Sequence, residues 1–156
     1  RQMRFDYINA FVQATAEVLN EMLGDKVERS RPALHGGITS KGGVVAALSL
    51  TGDVLGDVVF DMDEDTALNI AGRMNEKEFV KPEPMVFDSI GELMNIIVGR
   101  SITILNDKGY KFYLTPPVIS AGKDVHLSCG SMETLVVKVT TGFGVITVNV
   151  ALAPEI

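Results

Sequence analysis

Residues 91–99, GELMNIIVG, have the spacing of a buried amphipathic helix, yet they carry an acid and an amide three residues apart. Asp88, Glu92, Asn95 and Gly99 are spaced i, i+4, i+7 and i+11, and at about 100° per residue they fall in one narrow stripe. Ile90, Met94, Ile97 and Val98 occupy the opposite face. Apart from its two carboxylates the stripe is small and uncharged, unlike the long Lys and Glu side chains that usually solvate a helix. An earlier stretch, AEVLNEMLG at 16–24, repeats it: Glu17, Asn20 and Gly24 stand 75 residues before Glu92, Asn95 and Gly99.

Working outward, the spacing predicts a first helix over 5–24, with Phe5, Ile8, Val12, Thr15, Leu19, Met22 and Leu23 on one side and Gly24 as C-cap. A strand is expected over 33–39. Two β-rich runs, 44–50 and 54–60, turn at Thr51-Gly52-Asp53. Asp63 is placed to cap a short helix over 64–74, and 75–84, NEKEFVKPEP, forms a charged linker. Pro84 can open the long helix over 85–105 from its N1 position. Extended chain follows, broken at Pro116-Pro117, with a further strand expected in DVHLSCG. A second hairpin pairs 133–140 with 144–151. Each motif-bearing helix thus precedes a hairpin, which predicts one domain over 3–156 built from half-repeats at about 5–75 and 84–154. Two long helices on a sheet drawn from both hairpins give a two-layer α/β architecture, mostly antiparallel.

The composition narrows the function. A chain of 156 residues, 46% hydrophobic and 22% charged, supports a substantial core. A net charge of -6 argues against nucleic acid or an anionic membrane as the primary partner. There is no run of eighteen apolar residues that would span a membrane. The single cysteine, Cys129, cannot form an intrachain disulfide, so the cytoplasm is the simplest location. Catalytic and metal motifs are missing: His35 reads as a loop residue and His126 as an exposed strand position, without metal-ligand spacing. Cys129 reads as a packed side chain, and GGITSKGG at 36–43 has the wrong order for a phosphate loop. No cofactor or metal site of the chain's own is expected. What remains is Glu92 with Asn95, a carboxylate and a carboxamide on adjacent turns, able to take a partner's cation and to hold a water. Taken alone, the pair is explained more simply as a helix surface facing solvent or another subunit.

DSIGELMN at 88–95, followed after twenty-one residues by Pro117, resembles the signature of the CheC/CheX/FliY family of chemotaxis phosphatases. ALNIAGRM at 67–74 and TPPVISAGKD at 115–124 look most like its CheX branch. The resemblance covers nearly the whole chain and implies a CheC-like fold. It also implies hydrolysis of the aspartyl phosphate of a CheY-like response regulator in two-component chemotaxis signalling, with the divalent ion supplied by the regulator. Under it, Glu92 pairs with the regulator's lysine and Asn95 orients the attacking water. Asp88 assists docking, an exposed helix acid being the equal alternative, and Pro117 shapes the segment beside the helix. Glu17 and Asn20 then form a vestigial second site, since Gln13 replaces its acid and no proline lies at 41–43. The CheX branch also implies a homodimer, and pairing across a two-fold axis is one way to manage sheet edges. The alternative is a non-catalytic regulator-binding or flagellar-switch scaffold of the same fold. A small-ligand sensor has less support, because no convergent charged or aromatic pocket is readable.

Overall fold

Alternating β-branched residues make the central strands, and period-3.6 runs make the helices that cover them. The computed structural model describes residues 2–40, 42–121, 126–127 and 133–153. Helix α1 (Gln2–Leu23) leads into the short strands β1 (Glu28–Arg29), β2 (Ala33–His35) and β3 (Ile38–Thr39). The hairpin β4 (Val44–Gly52) and β5 (Gly56–Met62) follows, then α2 (Glu64–Asn75) and α3 (Pro84–Asp107). Short strands β6 (Phe112–Leu114), β7 (Val118–Ala121) and β8 (His126–Leu127) precede the hairpin β9 (Thr134–Thr141) and β10 (Gly144–Leu152).

The two hairpins join through antiparallel pairing of β5 with β10, giving the sheet order β1-β9-β10-β5-β4-β6. The short strands cross over between hairpins: β1 and β2 pair with β9, while β6 and β7 pair with β4. The two-layer, mostly antiparallel architecture expected from the sequence is therefore present. One side of the sheet, carrying Leu48, Phe60, Val137 and Val148, packs under the helices. On the other side Val45, Val59 and Ala151 form a smaller cluster under Ile38 of β3.

Local chemistry sets most boundaries. Asp63 caps α2, accepting a 2.8 Å hydrogen bond from the Thr66 N–H. Pro84 opens α3, where an N–H would have no helical partner. Gly144 lies at φ +136°, and a Cβ there would sit 2.0 Å from Thr66 Oγ1, so only glycine lets α2 approach the second hairpin. The strand read over 33–39 is instead two: Gly36-Gly37 breaks it, β2 staying in the main sheet while β3 pairs with β8. His35 accordingly lies exposed at the end of β2 and not in a loop. Cys129 and the side chain of His126 lie outside the described residues. The first turn also falls later than read, because β4 runs to Gly52 and Asp53 exchanges hydrogen bonds with the Lys111 backbone beside β6.

The outermost strands are tied on by matching clamps. Ser30 donates its N–H to the Lys138 carbonyl (2.9 Å), and its hydroxyl accepts from the Lys138 N–H (2.8 Å). Thr115 does the same with Ser49, at 3.0 and 2.8 Å. Proline stands two residues after each clamp, at Pro32 and Pro117. Pro32 thus occupies the place corresponding to Pro117, short of 41–43, because α1 ends sooner after its motif than α3 does. No helix among the described residues is long and apolar enough to cross a membrane.

Tyr7 anchors the helix layer to this edge of the molecule. It is fully buried, with ring centroids 5.1 Å from Tyr110 and 6.0 Å from Phe112, and its hydroxyl has no hydrogen-bond partner among the described residues. Burial, then the charge of Asp53 and the Tyr110 hydroxyl, push its pKa up to about 12. Tyr110 is also raised to about 12, first by its hydrogen bond to Asp6 and then by desolvation and the Asp6 charge. Both phenols ionise later in the folded chain than in the unfolded one. Their contribution is therefore complete below the ordinary value of 10.0 and is lost as pH rises towards about 12. Tyr7→Phe is expected to keep stability at neutral pH within about 1 kcal/mol of wild type, or to raise it, because the hydroxyl it removes has no partner to lose. Denaturant unfolding between pH 8 and about 11.5 should show the alkaline loss in wild type and a shallower one in Y7F.

Candidate active site

The rotation of α3 is set by its apolar arc. Ile90, Leu93, Met94 and Ile97 are fully buried, and the hydroxyl of Ser101, also buried, donates to the Ile97 carbonyl at 2.8 Å. Asp88, Glu92, Asn95 and Gly99 are left exposed along the other side, as their spacing requires. Asp88, Glu92 and Asn95 make no side-chain hydrogen bond or ion pair with any described residue, so their polar atoms are available to a partner.

These three side chains line an open groove of about 670 Å³ with Phe87, Gly91, Ile96 and Ile119. Ile119 reaches it from β7, and a Cβ on Gly91 would lie 3.5 Å from Ile119 Cγ1, at ordinary contact distance, so strand and helix meet in the groove. Pro117 is not among the lining residues. It stands between the Thr115 clamp and β7, where the chain resumes pairing with Ala47 opposite Val118 and Ala46 opposite Ile119. A second groove, of about 450 Å³, lies on the other flank of Glu92, between Met22, Arg73, Met74, Asn75, Glu76 and Ser89. In its lining Asn75 Nδ2 donates to Ser89 Oγ at 2.7 Å, tying α2 to α3 beside the acid.

The first-helix copy of the motif is engaged differently. Glu17 accepts from Gln13 Nε2 at 2.9 Å and from Arg100 Nη1 at 3.5 Å, while Arg100 makes a two-pronged contact with Glu21 at 2.7 and 2.9 Å. That hydrogen bonding lowers the Glu21 pKa and raises that of Arg100. The Asn20 amide donates to the Asp25 carbonyl at 2.9 Å. The guanidinium of Arg100 thus lies against Glu17 in the position a partner's cation would need, and Asn20 is committed to closing its own helix.

Chemically, the α3 stripe offers two acceptors for a cation and one carboxamide that both donates and accepts, but no nucleophile. Among the described residues no group of three or more His, Cys, Asp or Glu side chains could hold a metal ion. Ile96 and Ile119 were not picked out from the sequence. Ile96 left one signal, an apolar residue beside Asn95 outside the buried arc; Ile119 left none, because only strand register brings it to the helix.

Residues 44–140 match the family described as "Chemotaxis phosphatase CheX". The CheY-P phosphatase CheX of Thermotoga maritima is 24% identical over 121 residues, covering 77% of this chain and 78% of that protein. The CheX of the Borrelia burgdorferi CheX–CheY–BeF3–Mg2+ complex is 33% identical with a TM-score of 0.78, covering 95% of this chain and 98% of that one. A CheC-like superfamily protein from Shewanella sp. PV-4 shares the fold at a TM-score of 0.85 and 23% identity, over 96% and 98% of the two chains.

Proposed function

The chain belongs to the CheX family of chemotaxis phosphatases, and we propose that it uses Glu92 and Asn95 to hydrolyse the aspartyl phosphate of a CheY-like response regulator. The phosphatase activity rests on the family and on relatives named as a CheY-P phosphatase and as the CheX of a CheX–CheY complex. The assignment of residues rests on one observation: Asp88, Glu92 and Asn95 line an open groove with their polar atoms unengaged by described residues, whereas Glu17 and Asn20 are engaged.

An acyl phosphate is already labile, so the protein's task is positioning. Glu92 takes the lysine ammonium of the regulator's phosphorylation site, with Asp88 one turn earlier adding negative charge. The Asn95 carboxamide, one turn beyond Glu92, enters beside the phosphoryl group. It holds a water in line with the bond from phosphorus to the aspartyl oxygen. That water's oxygen bonds to phosphorus, the aspartyl oxygen leaves, and inorganic phosphate and a free carboxylate result. The divalent ion of the reaction belongs to the regulator. Pro117 acts at a distance, fixing where β7 begins and hence where Ile119 borders the groove.

The same proposal takes 3–156 as one domain of two half-repeats, supported by the paired clamps at Ser30 and Thr115. It takes Glu17 and Asn20 as a relic, the protein as a homodimer, and the cytoplasm, where its substrate acts, as its location. Sedimentation at micromolar concentration should show the dimer; a monomer alone would remove that part.

Glu92→Ala is expected to lower kcat/KM for phosphate release by about tenfold, as loss of a docked ion pair does. Asn95→Ala should lower kcat by about a hundredfold while equilibrium binding of the regulator is kept, the mark of lost positioning. Single-turnover release measured beside binding separates the two, and wild-type release by N95A would refute its role. Glu17→Ala should leave turnover unchanged; a loss matching that of E92A would reveal a second working site. Failure of the wild-type protein to accelerate release from any cognate CheY-like regulator would favour the binding scaffold.

A further inference from the structure

Glu92 and Asn95 cannot hold a folded partner unaided. A docked ion pair of this kind strengthens association by about tenfold, whereas a micromolar complex requires about a millionfold over the molar standard state. The remainder comes from apolar side chains that lose their water against the partner. Of the large hydrophobic side chains on α3, Met85 and Ile96 are the exposed ones, at 45% and 39%. Met85 precedes Glu92 by seven residues and Ile96 follows it by four, so both share its face. Eleven residues of helix set them about 16 Å apart, with Asp88 and Glu92 between. Ile119 closes a third side. It pairs opposite Ala46, whose side chain packs in the helix-side core, so Ile119 turns the same way and borders the groove half-exposed. Its neighbour Val118 pairs with Ala47, which packs on the opposite face, so Val118 plays no part.

We propose that Met85, Ile96 and Ile119 form an apolar frame around the acidic stripe that seats the phosphorylated CheY-like regulator, supplying affinity while Glu92 and Asn95 supply alignment. The proposal rests on the phosphatase assignment above. Charge selects this occupant over a second copy of the chain. The frame encloses two carboxylates unengaged by described residues, which favour a centre carrying a lysine and a divalent ion, whereas a second chain of net charge -6 would set like charge against like.

The test measures KM and kcat for phosphate release from the CheY-like receiver that the wild-type protein dephosphorylates, and Kd for the same receiver loaded with BeF3 and Mg2+. Met85→Ser and Ile96→Ser should each raise KM and Kd about fivefold, and the double variant about twentyfold, with kcat unchanged. Ile119→Ser should act likewise. It is half-buried, so its melting temperature is recorded and the proposal is decided on the two exposed positions. Val80→Ser, 82% exposed in the 76–83 linker, should change no constant. Unaltered KM and Kd in the double variant, or a fall in kcat alone, would overturn the frame. Receiver binding without hydrolysis by wild type, lost in the double variant, would sustain the frame and overturn the phosphatase assignment. Neither binding nor turnover with any CheY-like receiver would overturn both.

Discussion

The rotational setting of α3 is the constraint on which the site depends. Ile90, Leu93, Met94 and Ile97 are excluded from water, and each such burial is worth about 1.5–3 kcal/mol. Advancing the helix by one residue would turn it by about 100°, exposing part of that arc and carrying a carboxylate into the core without a partner. That cost is far larger than anything the exposed stripe contributes to folding. The core therefore aims Asp88, Glu92 and Asn95 outward without asking stability of those residues themselves, which leaves their chemistry free for a partner.

The groove needs more than the helix. Its far wall comes from β7, which follows α3 in sequence but pairs with β4 of the other hairpin. β4 is in turn joined through β5 to β10, so the distance from Ile119 to the stripe is held by the sheet and not by a loop. Sites built on regular elements in this way need little reordering when a partner arrives. The same crossing of segments brings Arg100 of α3 against Glu17 and Glu21 of α1, filling the first-helix copy of the motif from within the chain.

Much of this was legible locally. The arc and stripe of α3, both hairpins, the Asp63 cap and the Pro84 start each follow from periodicity or from one residue's stereochemistry, and all were read within a few residues. The roles proposed for Glu92 and Asn95 were not legible from periodicity, since an exposed acid and amide are common on helices; they come from the family resemblance. What stayed hidden depended on register between distant segments. Arg100 looked like an ordinary residue after Gly99, yet it contacts α1 some eighty residues earlier in the chain. Ile119 looked like one more β-branched residue after two prolines. The split of 33–39 had its signal in Gly36-Gly37, but nothing local told that the two pieces join different sheets.

The clamps at Ser30 and Thr115 have a bearing on how the sheet meets other proteins. On each outer strand a hydroxyl stands in for a main-chain acceptor, and Pro32, or Pro116 with Pro117, then removes a main-chain donor. Among the described residues, a foreign strand adding to either side would find only two to four residues of regular backbone in any one edge strand. Both borders are thus poor templates for self-propagating β aggregation or for capture of extended peptides. A sheet finished in this way leaves a second copy of the chain only such short segments to pair with across a two-fold axis, and favours recognition of other folded partners through side chains.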